Sequence, residues 1–176
     1  DTGVFAVPYE EGASCVVLVQ NGKAAVLSIG GYQTGAVSQI LQRHNVTEVE
    51  TLCIPSGDTD AREAAVQVMK EYGVNTLVMP EDAYVGRDLE LTGDASQLEF
   101  LEAGESFQAL EGVTAQILPR WEGLRLTVNG VDTVVEWDTA SSQSCQLLFT
   151  NQAGTRVNSS LSVWQTDAII GENGQN

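Results

Sequence analysis

Apolar residues recur in three rhythms along this chain, and the dominant rhythm changes past its middle. Residues 14–20 (SCVVLVQ) form a nearly continuous run of β-favouring types, and residues 23–29 (KAAVLSI) form another. Asn21-Gly22 lies between them. Both of those residues tolerate positive φ, so the two runs are expected to pair as a tight hairpin. Gly30-Gly31 ends the second strand. Residues 34–45 carry Val37, Ile40 and Leu41 at helical spacing, which predicts a helix. Residues 49–55 (VETLCIP) read as a buried strand. Residues 60–72 place Ala64, Ala65, Val68, Met69 and Tyr72 on one helical face. Asp60 and Glu63 suit a capping box at the start of that helix, and Gly73 suits its C-terminal cap. Residues 75–79 (NTLVM) are a short strand. This alternation over residues 23–79 predicts right-handed crossovers and an internal sheet with helices packed outside it.

From residue 98 onward the helical period is gone. Short β runs occur at 98–101, 106–110, 113–118, 124–128 and 133–137. Gly104, Gly112, Gly123 and Asn129-Gly130 separate them, the last being a second hairpin signal. Residues 145–150 and 168–170 read as late strands, and residues 171–176 as a loose polar tail. No internal repeat is visible. The chain is therefore read as one domain over residues 1–170. Its first five residues look like the start of a strand, as they would in a piece cut from a longer protein.

Composition narrows the partners. A hydrophobic fraction of 43% with 18% charged residues fits a globular core. No apolar run approaches the roughly 20 residues that cross a bilayer, and no secretory leader is visible. Acidic residues number 24 against 8 basic, a formal charge of −16. That field repels phosphate backbones and anionic lipid, and Arg120, Arg125 and Arg156 are scattered rather than gathered into a patch. Direct DNA binding is disfavoured.

Candidate chemistry is sparse. Cys15, Cys53 and Cys145 have neither metal-ligand spacing nor an even number for disulfides, and each adjoins apolar residues. They are expected to be small buried hydrophobes. His44, near the end of the first helix, is the chain's one histidine. Ser/His/Asp and Cys/His catalysis would both have to use it. No Gly-x-Ser-x-Gly elbow, phosphate-binding loop or dinucleotide fingerprint is present. Trp121, Trp137 and Trp164 read as core packing, with a stacking surface for bases or sugars as the alternative.

One ordered set of segments carries a resemblance. It runs through Glu11-Gly12-Ala13-Ser14, Asn21-Gly22-Lys23 and Leu27-Ser28-Ile29-Gly30-Gly31. It continues with Pro55-Ser56-Gly57-Asp58-Thr59-Asp60-Ala61, Ala103-Gly104-Glu105, Gly112-Val113, Glu136-Trp137-Asp138 and residues 148–155. In this order they resemble the metallo-β-lactamase fold, and within it the soluble C-terminal domain of the ComEC/Rec2 competence family. The fold implied is α/β, a reduced αββα sandwich.

The resemblance also implies where a metal would sit. The family's metal-loop histidines fall on Ser56 and Ala61, and its late histidine pair on Gln152 and Ala153. An early aspartate falls on Ile29. Asp58, Asp60 and Asp138 stand where the family has carboxylates, so three carboxylates match and no imidazole does. Such hydrolases use the metal to lower the pKa of bound water, and imidazole nitrogens supply much of the zinc affinity. The resemblance thus implies a catalytically degenerate domain without zinc, a structural or interaction module in bacterial DNA uptake. Its partners would be other domains of a membrane DNA-uptake protein. It would be tethered through that protein outside the cytoplasm, without inserting a segment of its own.

Two alternatives stand beside it. One is a Mg²⁺- or Mn²⁺-dependent phosphodiesterase or nuclease using Asp58, Asp60 and Asp138, with Glu136 as a further oxygen ligand. Against it, Asp58 and Asp60 also suit simple capping of the second helix. The other is a small-ligand binding protein using a cleft near Ser56 and Gln152.

Overall fold

The computed structural model describes residues 1–9, 12–29, 33–56, 59–83, 95–137, 147–150, 156–157 and 169–171. The first half builds most of one sheet. Strands β1 (Gly3–Tyr9), β2 (Gly12–Gln20) and β3 (Lys23–Leu27) form an antiparallel meander. Helix α1 (Thr34–Arg43) leads to β4 (Glu48–Cys53), and α2 (Thr59–Tyr72) leads to β5 (Val74–Met79). Strand β6 (Ala95–Phe100) continues the parallel run from β3 through β4 and β5. The second half builds another sheet from β7 (Ser106–Leu110), β8 (Val113–Ile117), β9 (Gly123–Val128), β10 (Val131–Glu136), β11 (Leu147–Thr150) and β12 (Arg156–Val157). The last strand, β13 (Ile169–Gly171), returns to the first sheet and pairs parallel with β1. It reaches one residue into the expected tail; residues 172–176 lie outside the described residues.

Strands β1 to β5 of the seven-stranded sheet bury apolar side chains on both faces, and the alternation of those side chains shows how. Phe5, Val7, Cys15, Val17, Ala24, Val26, Leu52, Leu77 and Met79 point to the helices. They pack there against Val37, Ile40 and Leu41 of α1 and Ala64, Ala65, Val68 and Met69 of α2. The intervening residues, such as Val4, Ala6, Val16, Leu18, Ala25, Leu27, Cys53 and Val78, point the other way, into a second apolar layer. A strand buried on both faces must be apolar throughout, which is why residues 14–29 read as runs. Strand β8 of the six-stranded sheet alternates instead. Val113, Ala115 and Ile117 of β8 are buried, whereas Thr114 and Gln116 are exposed.

Both expected hairpins form with positive φ at each turn residue: Asn21 51° and Gly22 77°, then Asn129 52° and Gly130 79°. Gly73 closes α2 at φ 68°, its N–H donating to the Met69 carbonyl at 2.9 Å. The expected capping box does not form as drawn. Helix α2 begins at Thr59, so Asp60 already lies inside its first turn. Its carboxylate still sits at the positive end of the helix dipole.

Candidate functional site

Connectivity decides which loops share an edge. Strands β1 and β3 are both antiparallel to β2, and β4, β5 and β6 follow β3 in parallel, so the carboxyl ends of all five meet at one edge. The second sheet is aligned by its β9–β10 turn. The Asn129 side chain accepts from the Thr2 N–H at 3.1 Å and donates to the Thr2 carbonyl at 2.7 Å. The start of β10 therefore lies beside the start of β1, and the carboxyl ends of β10 and its parallel neighbour β11 reach the same edge as those of β3 and β4. We call this the upper edge. In α/β folds, the loops at strand carboxyl ends are where ligands and catalytic groups gather.

Five of the expected site positions are described there. Ile29, past β3, is buried. Ser56 follows β4 and is half-buried; before it, the Ile54 N–H donates to the Val78 carbonyl at 3.0 Å and fixes the strand's exit. Asp60 is exposed on the first turn of α2, and Ala61 is buried behind it. Glu136, at the end of β10, is buried at 5% exposure. Asp58, Asp138, Gln152 and Ala153 lie outside the described residues, as do Cys145 and Trp164. Sequence and connectivity thus bring β3, β4, β10 and β11 to one edge.

The upper edge also holds the backbone strain. Six non-glycine residues among those described have positive φ. Three are asparagines, which tolerate it; the others are Ser28, Arg120 and Trp121, at φ 66°, 58° and 55°. Ser28 ends β3, and Arg120 and Trp121 lie in the loop between β8 and β9. Each such residue costs on the order of 1–3 kcal/mol, supplied by the packing around it. For Trp121 that packing is visible. Its indole N–H donates to the Leu101 carbonyl at 3.0 Å, and its ring stacks on Trp137 with centroids 6.0 Å apart. Both rings rest on the layer between the sheets, so these two tryptophans pack as the sequence suggested.

The metal-ligand question turns on donors. The single imidazole, His44, caps the end of α1 and packs its ring on Phe5 at a centroid distance of 4.3 Å. Thr47, three residues on, donates its N–H to the Gly22 carbonyl at 2.9 Å, beside the β2–β3 turn. His44 therefore stands at the lower edge, across the sheet from Ser56 and Asp60. Cys15 and Cys53 are fully buried, and burial pushes both thiols well above their ordinary range, against the thiolate a metal needs. Among the described residues, no three His, Cys, Asp or Glu side chains gather to hold a metal. An imidazole-ligated zinc does not fit this chain. Among the described residues, Asp60 and Glu136 offer oxygen ligands at this edge.

No protein-family model and no curated protein sequence matches the chain. Solved structures do. The chain is similar to zinc-bound PqqB from Methylobacterium extorquens, with 12% identity and a TM-score of 0.54 over 91% of this chain and 57% of that one. It is similar to a metallo-β-lactamase from Staphylococcus aureus subsp. aureus COL, with 10% identity and a TM-score of 0.52 over 78% of this chain and 43% of that one. It is also similar to the metallo-β-lactamase fold protein YhfI from Bacillus subtilis, with 13% identity and a TM-score of 0.57 over 84% of this chain and 70% of that one. At such identities the likeness shows the fold alone. This chain has a metallo-β-lactamase-like α/β sandwich and spans about half the length of the first two proteins.

Proposed function

We propose that this metallo-β-lactamase-like domain is catalytically degenerate and works as a structural or interaction module, of the kind found in the ComEC/Rec2 competence family. One observation carries the reading: the only imidazole in the chain stands at the lower edge, while the fold's chemistry belongs at the upper one. Without histidine nitrogens, the upper edge keeps carboxylates and hydroxyls, which hold zinc weakly and do not by themselves activate water near neutral pH. The partners that suit this domain are other domains of a membrane-tethered DNA-uptake protein. A charge of −16 favours a protein surface over a nucleic acid in that role. An extracytoplasmic location belongs to the same reading.

Two measurements on the purified chain test it. Elemental analysis after growth in zinc-supplemented medium should find far less than one zinc per chain; a stoichiometric, chelator-resistant zinc would overturn the proposal. Single-stranded and duplex DNA should survive incubation with the protein and Mn²⁺. Cleavage that disappears in Asp60→Asn would instead establish the carboxylate-only nuclease.

A further inference from the structure

Two turns at the lower edge are the same dipeptide in the same conformation, and they differ in how one side chain is held. Asn21-Gly22 joins β2 to β3, and Asn129-Gly130 joins β9 to β10. The asparagines have φ of 51° and 52° and the glycines 77° and 79°, and both asparagines are exposed. Among the described residues, the N–H of neither glycine donates to a backbone carbonyl. The Asn129 amide, however, is tied at both ends. Its nitrogen donates to the Thr2 carbonyl at 2.7 Å and its oxygen accepts from the Thr2 N–H at 3.1 Å. Thr2 is buried in turn, and its hydroxyl accepts from the Gln20 amide at 3.0 Å. The Asn21 amide has no such partner among the described residues. It stands at a groove of about 410 Å³ that Glu50, Leu110 and Glu111 also border, so it has open space to turn in.

An asparagine followed by glycine carries its own electrophile and its own nucleophile. The glycine nitrogen can reach the side-chain carbonyl carbon because glycine has no Cβ in the way. A bond forms between that nitrogen and the asparagine Cγ, and the bond from Cγ to Nδ2 breaks. Ammonia leaves, taking the proton that the glycine nitrogen gives up. Water then opens the cyclic imide at either carbonyl. One opening leaves an aspartate, and the other leaves its isomer, in which the backbone runs through the former side chain. Water is the only co-reactant.

We infer that Asn21 is a site of spontaneous deamidation and that Thr2 protects Asn129 from the same reaction. The attack requires the amide to swing from its resting place to the following nitrogen. At Asn129 the swing breaks both bonds to Thr2, each contributing about 1 kcal/mol net. At ~1.4 kcal/mol per tenfold in rate, Asn129 reacts at least about tenfold more slowly than Asn21. Thr47 does hold the Asn21 turn, its N–H donating to the Gly22 carbonyl at 2.9 Å, but it leaves the Gly22 nitrogen and the Asn21 side chain free. The consequences differ as well. At Asn21 the reaction puts a further carboxylate beside Glu50 and Glu111. The isomer also lengthens the backbone of a tight turn, so the Gly22 carbonyl cannot meet Thr47 while Gln20 stays paired with Lys23. At Asn129 the reaction would replace a donor to the Thr2 carbonyl with an acceptor facing it, and would loosen the contact that aligns the two sheets. The protected turn is the one on which the sandwich depends more. The inference does not rest on the proposed function, whose residues lie at the other edge.

The test is to age the intact chain in mildly alkaline buffer, once folded and once in denaturant, and to follow both asparagines by peptide mass mapping. In the folded chain the peptide holding Asn21 should gain the deamidation mass at least about tenfold faster than the peptide holding Asn129. In denaturant the two rates should converge to within about twofold, since both are then unanchored Asn-Gly pairs. Thr2→Pro removes the N–H that holds the Asn129 oxygen and should speed Asn129 about fivefold, leaving Asn21 within about twofold of its former rate. Four results would overturn the inference. They are equal rates in the folded chain, an inert Asn21 in a folded chain that reacts once denatured, a rate difference that persists in denaturant, or an Asn129 rate indifferent to Thr2→Pro.

Discussion

The two apolar layers on either side of the seven-stranded sheet are built from different stretches of chain. Among the described residues, the helix-side layer draws its buried members only from Phe5 to Met79. The layer between the sheets draws on both halves, from Val4 to Phe149. The first layer closes over short crossovers, each a strand, a helix and a strand. The second must bring β10 and β11 back over β2, across more than a hundred residues of intervening chain. The first layer is therefore a local product of the sequence, and the second fixes how the two halves face one another. It also decides which loops share the upper edge.

If the two layers are one cooperative unit, a cavity in either should cost about the same. Leu52→Ala on the helix side and Leu124→Ala between the sheets should each remove about 2–5 kcal/mol, since both side chains are fully buried. Urea denaturation followed by circular dichroism and by tryptophan fluorescence should give one coincident transition for each variant. Separate transitions would break the comparison by showing two independently melting layers.

The next effect uses one thiol in each layer. Burial raises both Cys15 and Cys53 above the ordinary thiol value of about 8.5. A folded-state pKa raised in this way favours the neutral thiol. The stability it contributes is fully present below pH ~8.5 and falls as pH rises beyond that, by about 1.4 kcal/mol per pH unit for each thiol. Cys15→Ala and Cys53→Ala should each make the alkaline loss shallower by a similar amount. A change in one variant only would show that water reaches one layer and not the other. Both thiols should also resist alkylation until the chain unfolds.

Gly123 probes the second layer's backbone. A Cβ at this position would stand 2.2 Å from the Val135 carbonyl oxygen, so β9 and β10 would have to separate. Gly123→Ala should cost about 1–3 kcal/mol, read as a lowered melting temperature. The smallest effect belongs to the solvent side of the same strand. Thr127 is exposed, and Thr127→Lys should change stability by no more than about 0.5 kcal/mol. A larger loss would mean that this face is covered in solution.

The site was less legible than the fold. The hairpins at Asn21-Gly22 and Asn129-Gly130, both helices and the parallel run of the first sheet could all be read from turn residues and periodicity. Those are local signals, and the local physics was followed. At the upper edge the sequence could name Ser56, Asp60 and Ala61 only through a resemblance of order. The burial of Glu136 and the strained turn at Arg120-Trp121 had no sequence signature. Both depend on contacts made after the two sheets meet. The bulges at Glu50 of β4 and Ala109 of β7 were missed for a related reason: a bulge is one extra residue in a ladder, and it exists only relative to the partner strand.

By itself, the sequence determined that the chain holds one imidazole, a charge of −16 and a change past residue 98 from alternating strand and helix segments to short strands alone. Those are inventories and periods, fixed before any folding. Tertiary structure alone decided that His44 stands across the sheet from Ser56 and Asp60, and that Glu50, Leu110 and Glu111 border one groove. The physical reason is that strand direction and sheet pairing, rather than sequence distance, set which ends of a sandwich share an edge.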